Sequence, residues 1–365
     1  MQLIYLSPVP WSSFAQRPQK FASWFNDTTQ GKVLWVDPYP TRLPRLSDLT
    51  HSRGCDRGIE VKQPWVTVIQ PRSLPVEPLP FSGTVNSLLF WTSIISSAQR
   101  FAKAEPTMIV AGKPSELAIR MIQLLPESPA IYDAMDDFPA FFSGFSRQAM
   151  QRREQRLASL CRTVLTSSTK LVEKWTPQHA DVRFVANALD TQLIPAWTEK
   201  QSHKENIVFG YVGTVGAWFD WDWVIRLAHA RPLDTLLIVG PISNRYAGTL
   251  PANIVIRPPC SHREALELMR TFNVALIPFQ KTSLTASVDP IKYYEYIASG
   301  LPVLTSSFGE MHYRRNEKGV YICDTNDNMD SVVAQALSYT ASRPFIESFK
   351  LENNWVTRFD NASLL

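Results

Sequence analysis

Lys292 and Glu295 stand three residues apart in the segment Asp289-Pro290-Ile291-Lys292-Tyr293-Tyr294-Glu295-Tyr296-Ile297-Ala298-Ser299-Gly300-Leu301-Pro302. Pro290 suits the first turn of a helix, where its missing N–H is harmless. Asp289 then falls at the N-cap. Gly300 suits the C′ position, and Pro302 prevents continuation. Residues three apart share a helix face, so a cation and an acceptor come together near a helix start. Such a helix end with Lys292 attracts phosphate, while Glu295 accepts hydrogen bonds from a ribose diol. A surface ion pair has the same spacing, and spacing alone leaves both readings open.

A second cluster is acidic. Asp133, Asp136 and Asp137 follow the apolar run 130–133. A transfer to a hydroxyl needs a carboxylate or histidine to take the proton, and neighbouring carboxylates repel, which raises one pKa. The alternative is a helix cap before Pro139. Residue type and spacing do not separate Asp136 from Asp137. Arg17 follows the first apolar run and opens a helix; it points toward a ligand or makes a surface pair. In Trp218-Phe219-Asp220-Trp221-Asp222-Trp223, Trp218 is available to stack on a base or sugar. Phe219 and Trp223, at helical spacing, are expected to pack on a sheet.

These residues need strand ends and helix starts to hold them. Apolar runs fall at 3–7, 32–36, 65–69, 107–111, 130–133, 163–167 and 182–185, then at 207–213, 235–239, 253–256, 274–278, 302–306 and 320–323. Helical stretches such as 116–125 and 263–272 lie between many of them. Strand–helix alternation with non-alternating strands predicts parallel sheets wrapped by helices. Thirteen strands exceed one compact sheet, so two doubly wound domains are expected, joined through the polar stretch 198–206. Ligands in such sheets bind beyond the carboxyl ends of the strands.

Composition agrees. The chain has 365 residues, 45% hydrophobic and 19% charged, which excludes a disordered or fibrous protein. Net charge is +4, with no nucleic-acid signature. It divides unevenly: 21 Lys and Arg against 15 Asp and Glu over residues 1–186, then 16 against 18. Cys55, Cys161, Cys260 and Cys323 form no CxxC pair, and the first residues read as a strand, so a reducing cytoplasm is expected. Six scattered histidines give no metal-ligand pattern, and no metal site is expected. No apolar stretch reaches the ~18 residues of a membrane span. Arg147, Arg152, Arg153 and Arg156 fall on one expected helix; Leu88-Leu89-Phe90-Trp91, Ile94 and Ile95 precede Arg100 and Lys103 on another. Apolar groups beside cations suit an anionic membrane surface.

The segment from Pro290 resembles the nucleotide-binding stretch of glycosyltransferases of the GT-B fold, whose pattern runs Pro-x-Lys-x-x-Glu-Tyr-x-Ala-x-Gly-x-Pro-Val. It follows Leu276-Ile277-Pro278-Phe279, also typical. Gly210-Tyr211-Val212-Gly213-Thr214 resembles the first strand and glycine turn of their donor domain, and Val239-Gly240-Pro241 the second strand end. Asn187…Asp190 is similar to their Asn-Gly-Val-Asp element, with Ala188 replacing Gly. Gln16-Arg17-Pro18-Gln19 and Tyr132-Asp133-Ala134-Met135-Asp136-Asp137 resemble stretches of bacterial polysaccharide enzymes of the teichuronic-acid and exopolysaccharide type, group 1.

The resemblance implies an α/β chain of two doubly wound Rossmann-like domains facing across a cleft. Residues 1–190 would bind the acceptor and 191–344 the donor, with 345–365 packing back on the first domain. The implied activity moves a sugar from a nucleoside-diphosphate sugar to a hydroxyl of a glycan or lipid-linked glycan, in bacterial surface-polysaccharide synthesis, in the cytoplasm or on the membrane's inner face. Gly213, Thr214, Gly240, Asp289, Lys292 and Glu295 would hold the donor, Asp136 or Asp137 would be the base, and Arg17, Asp133 and Trp218 would line the acceptor side or cleft. No cofactor is implied: Lys292 and the Gly213–Thr214 backbone N–H groups would neutralise the diphosphate. Two features depart from the retaining branch. Ser287 stands eight residues before Glu295 where that branch has Glu, and Thr214 and Phe219 stand where it has Arg and Lys. Retaining and inverting chemistry both remain open. The other readings are a sugar-nucleotide 2-epimerase of the same architecture and a non-catalytic nucleotide-sugar-binding subunit.

Overall fold

The computed structural model describes residues 1–41, 63–77, 79, 81–194 and 207–365. Cys55 and the polar stretch 198–206 lie outside them. Each of the thirteen apolar runs contains a strand, and contacts divide the chain into one unit of Met1–Val185 with Ala362–Leu365 and another of Ala186–Asn361.

In the first unit, β1 (Gln2–Leu6), β2 (Val33–Val36), β3 (Val66–Ile69), β4 (Thr107–Ala111), β5 (Ala130–Ala134), β6 (Thr163–Thr166) and β7 (Val182–Phe184) form a parallel sheet in the order β3-β2-β1-β4-β5-β6-β7. All residues of β1, β2, β4, β5 and β6 are buried, which is why these runs do not alternate: helices cover both faces. The helices are α1 (Arg17–Thr29), α2 (Ser82–Asn86), α3 (Thr92–Ala104), α4 (Glu116–Leu124), α5 (Gly144–Leu160) and α6 (Thr169–Trp175). Leu6 lies opposite Val36 and Ala111, so β1, β2 and β4 end level.

The second unit repeats the plan. β8 (Val208–Val212), β9 (Thr235–Val239), β10 (Ile254–Arg257), β11 (Val274–Ile277), β12 (Val303–Thr305) and β13 (Val320–Ile322) run parallel in the order β10-β9-β8-β11-β12-β13. The helices α7 (Trp221–Ala230), α8 (His262–Met269), α9 (Ile291–Ala298), α10 (Met329–Leu337), α11 (Arg343–Glu352) and α12 (Trp355–Asn361) pack around it. Winding reverses beside β1 in one sheet and beside β8 in the other, the positions where doubly wound sheets bind ligands. Gly210 lets β8 carry the Phe272 ring directly against its backbone; a Cβ there would overlap that ring.

The division expected after residue 190 falls between 185 and 186. Of the stretch 345–365, α11 packs on α9 in the second unit, and only the last four residues group with the first. The Arg183 guanidinium donates there to the carbonyls of Ala362 and Ser363, at 2.7 and 2.8 Å.

Candidate functional site

The glycine turn after β8 is built for close approach. Gly213 has φ +149° and Gly240, at the end of neighbouring β9, has φ +141°, a region that side chains disfavour. A Cβ on Gly240 would strike the Gly213 carbonyl, and one on Gly213 would lie 2.7 Å from Lys292 Nζ. The two glycines therefore let β8, β9 and α9 converge. The Gly213 N–H donates to the Val239 carbonyl at 2.8 Å and the Gly240 N–H to Arg257. This corrects the expectation that both Gly213 and Thr214 offer amides to a diphosphate. Of these two amides, the Gly213 N–H is taken and the Thr214 N–H has no partner among the described residues, at an exposed turn that Tyr211 steadies by donating to the Thr214 carbonyl at 2.9 Å.

Lys292 sits in the first turn of α9, half-buried, with Nζ 5.8 Å from the centre of the Tyr211 ring. No hydrogen bond or ion pair among the described residues engages that Nζ. Burial pulls its pKa down, opposed by the attraction of Glu295. Glu295 is buried on the same helix, and His262 Nε2 at the start of α8 comes within 3.4 Å of its Oε1. His262 carried no motif in the sequence; the only signal was its position at a helix start after β10.

Asp289 is not the N-cap. Pro290 holds that position, with no side-chain cap. The Asp289 carboxylate instead accepts from the Asn187 N–H at 2.7 Å and the Tyr294 hydroxyl at 2.8 Å, and pairs with Arg314 at 2.8 Å. Asn187 Nδ2 also donates to the Asp289 carbonyl, at 2.7 Å. Asp289 is thus committed to holding α9 against the Asn187 segment, a buried role that removes it from capping. Trp218 is half-buried against Phe279, with ring centres 6.4 Å apart, while Phe219 and Trp223 are buried in the core as expected.

In the first unit the acids separate sharply. Arg17 and Asp133 are 2% and 0% exposed, not a surface pair. Arg17 Nε and Nη2 donate to Asp133 at 3.0 and 2.8 Å, and Nη1 donates to the Val185 carbonyl at 2.6 Å. The Tyr5 hydroxyl donates to the same carboxylate at 3.2 Å. Asp137 is held by Lys174 of α6 at 2.7 Å, and Lys174 also pairs with buried Glu154 at 2.7 Å. Asp136 differs: no hydrogen bond or ion pair among the described residues reaches its carboxylate. Desolvation, with a smaller contribution from Asp133 and Asp137 and against the pull of Arg17, pushes its pKa up to about 7. Neither Asp136 nor Asp137 caps a helix: the short 3-10 turn Phe138–Phe141 has no side-chain cap. Among the described residues no three His, Cys, Asp or Glu side chains are grouped to hold a metal ion.

Comparison with known proteins follows this geometry. No protein-family model matches the chain. It is 26% identical over 196 residues to a Bacillus subtilis (strain 168) protein named "Putative teichuronic acid biosynthesis glycosyltransferase TuaH", a match covering 48% of this chain and 49% of that one. The matched stretch therefore spans about half the length of this relative. Solved structures align over nearly the full length. The lipopolysaccharide outer core galactosyltransferase WaaB, in its apo form, has a TM-score of 0.63 at 11% identity, over 100% of this chain and 99% of that one. HepE of Anabaena, in complex with UDP and glucose, has 0.65 at 12%, over 100% and 98%. The α,α-trehalose 6-phosphate synthase of Burkholderia multivorans has 0.59 at 12%, over 99% and 97%. The fold expected from the sequence, two Rossmann-like α/β domains of the GT-B kind, is the fold observed.

Asp136 provides a direct test of this geometry. Its folded pKa lies above the ordinary 3.8 of an aspartate, at about 7. Below pH 4 folded and unfolded chains both hold the proton; as pH rises, the unfolded chain releases it first. The native protein should therefore lose stability relative to Asp136→Asn as pH climbs from 4 through 7. Urea midpoints at unit pH steps measure this, and a constant difference between the two proteins would show an unperturbed carboxyl.

Proposed function

We propose that this chain is a glycosyltransferase that moves a sugar from a nucleoside-diphosphate sugar to an acceptor hydroxyl in the assembly of a bacterial surface polysaccharide. The observation that carries the reading is Lys292: a cation that no hydrogen bond or ion pair among the described residues engages, held against the Gly213 turn at the carboxyl end of β8, where the winding reverses. An anionic diphosphate is the ligand such a position lacks. The name of the Bacillus relative and the UDP and glucose held by HepE support the same substrate class.

In this reading the second unit holds the donor. Lys292 and the Thr214 N–H take the diphosphate, with Gly213 and Gly240 allowing its approach. Glu295, steadied by His262, accepts from the ribose hydroxyls. The first unit supplies the acceptor and its base. Asp136 takes the proton of the acceptor hydroxyl as that oxygen bonds to the anomeric carbon. The bond from that carbon to the diphosphate breaks, and the electron pair leaves on the diphosphate oxygen, where Lys292 stabilises it. Asp137 keeps Lys174 and α6 in place, and Arg17 with Asp133 holds the strand end that carries Asp136. No metal cofactor takes part in this scheme.

Attachment to an anionic membrane surface also belongs to the proposal. Phe81, Leu88, Leu89 and Phe145 are exposed apolar residues in the unit that carries Arg147, Arg152 and Arg156. No helix among the described residues is long and apolar enough to cross a membrane.

Four outcomes are expected. In EDTA, UDP should bind the native protein in calorimetric titration, and Lys292→Ala should weaken it at least about ten-fold, the scale of one lost charge-assisted contact; equal affinity would remove Lys292 from the donor site. Asp136→Asn should lower turnover by about 10² to 10⁴-fold with UDP affinity kept, the range of a general base. Native turnover should rise with pH to a plateau above about 7, as the carboxylate forms, and a flat profile would place the base elsewhere. Vesicles rich in phosphatidylglycerol should pellet the protein at low salt and release it at high salt; no pelleting at low salt would refute attachment.

A further inference from the structure

None of the steps proposed for the donor or the base uses Trp218, which stands between β8 and α7. Its position is fixed all the same. The indole N–H donates to the Tyr211 hydroxyl, which in turn donates to the Thr214 carbonyl at 2.9 Å. A Cβ on Gly216 would lie 2.6 Å from the six-membered ring, so glycine there makes room for the indole. The Phe279 ring meets it edge-on, the two planes at 62°. The backbone is pinned as well. The Trp218 carbonyl accepts from the Gln280 N–H at 2.7 Å, the Asp220 N–H donates to the Pro278 carbonyl at 2.8 Å, and Phe219 bridges to Phe279 in the antiparallel sense. Residues 218–220 therefore lie along 278–280, just past the carboxyl end of β11. Trp218 is nonetheless only half-buried. A half-exposed indole whose N–H is already satisfied offers apolar ring surface rather than a hydrogen bond.

The order of the strands ranks the parts of a donor. Along the carboxyl edge β10-β9-β8-β11, His262 follows β10 and reaches Glu295, Gly240 follows β9, Gly213 and Thr214 follow β8, and Trp218 stands at the end of β11. A nucleoside-diphosphate sugar is linear: base, ribose, diphosphate, sugar. With the ribose on Glu295 and the diphosphate on Lys292 and Thr214, the base runs away from Trp218 and the sugar runs toward it. From β8 to β11 is one strand spacing, about 4.8 Å, which suits a single ring bonded directly to the diphosphate. One side chain also joins the two positions: Lys292 Nζ lies 5.8 Å from the centre of the Tyr211 ring, whose hydroxyl Trp218 binds.

We propose that Trp218 recognises the transferred sugar, its indole stacking on the C–H face of a pyranose bound to the diphosphate. The face of an aromatic ring is electron-rich and attracts the polarised C–H groups that a pyranose carries on its apolar side. Trp218 is thereby a specificity residue of the donor, neither a base-stacking nor an acceptor residue. This role rests on the donor site proposed for the second unit and adds the sugar's place to it.

Calorimetric titration of the full chain with UDP, UDP-glucose, UDP-galactose and UDP-N-acetylglucosamine tests the assignment. W218L removes the aromatic face and W218F keeps one. For the tightest-bound sugar nucleotide, W218L should lose at least about ten-fold in affinity, the scale of one aromatic contact, while UDP changes less than about two-fold. W218F should retain most of the sugar-nucleotide affinity, and the kept UDP affinity verifies both folds. A sugar nucleotide bound equally well by W218L would overturn the proposal. So would a cooperatively melting W218L that loses UDP and sugar nucleotide in equal measure, which would move Trp218 to the base or diphosphate. A measurement on the wild-type protein covers a W218L that does not fold. Saturating the protein's aromatic protons should transfer magnetisation to the sugar-ring protons of the bound sugar nucleotide more than to its ribose protons; the reverse order overturns the proposal. Wild-type affinity for UDP leaves the donor reading standing in each of these failures, whereas wild-type protein that binds neither UDP nor any sugar nucleotide sinks both.

Discussion

In each unit a buried ion pair ties several elements together. Arg17 and Asp133 join α1, the end of β5, the Tyr5 hydroxyl on β1 and the chain beyond β7. Arg314 and Asp289 join the start of α9, the Tyr294 hydroxyl and the Asn187 segment. A charge removed from water is tolerated only when it is paired and its remaining hydrogen bonds are made. The Arg17–Asp133 pair is hydrogen-bonded through a hydroxyl and a backbone carbonyl; in the other, Asp289 Oδ2 accepts from the Asn187 N–H and the Tyr294 hydroxyl, while Oδ1 has only its ion pair with Arg314. Removing one partner from such a pair costs about 3–5 kcal/mol, so the pairs fix which elements meet at the carboxyl edge of each sheet. Their net worth against an apolar replacement is small by the same reasoning; what they supply is position.

Beside that edge each unit holds a charged group that no hydrogen bond or ion pair among the described residues engages. Lys292 is half-buried beside a tyrosine ring, with its cationic form disfavoured by desolvation. Asp136 is half-buried beside two other carboxylates, with its anionic form disfavoured for the same reason. Neither state minimises the energy of the empty protein. Both are what a preorganised site requires: a cation that gains by meeting an anion, and a carboxylate basic enough to take a proton near neutrality.

The strands were legible because parallel strands covered on both faces read as plain apolar runs, and each of the thirteen runs holds one. The glycine turn and the Lys292–Glu295 spacing were also legible, since their constraints are local. What stayed hidden depended on distant partners. Lys174, 37 residues beyond Asp137, distinguishes it from Asp136. Asn187, 102 residues before Asp289, turns an expected helix cap into an interior acceptor. Asp133, 116 residues after Arg17, takes that arginine out of solvent. No window of sequence holds both members of these pairs, so residue type alone left surface and interior readings level.

The loop between β11 and α9 gives the Ser287 departure a physical meaning. Ser287 is buried, and so is neighbouring Thr285, whose Oγ1 donates to the Gln280 carbonyl at 2.5 Å and accepts from the Thr282 N–H at 3.0 Å. Gly309, with φ +43°, lies directly beneath the carbonyls of Thr285 and Val288, where a side chain would not fit. Hydroxyls and backbone thus close this loop on itself at the place where the retaining branch carries a glutamate. In the proposed reading, with no acid there, the leaving diphosphate would rest on Lys292 and the Thr214 amide. In the first unit Asp133 and Asp137 are likewise paired, while no hydrogen bond or ion pair among the described residues reaches the Asp136 carboxylate. In that reading the candidate groups stand apart because the carboxylates nearest them are already paired.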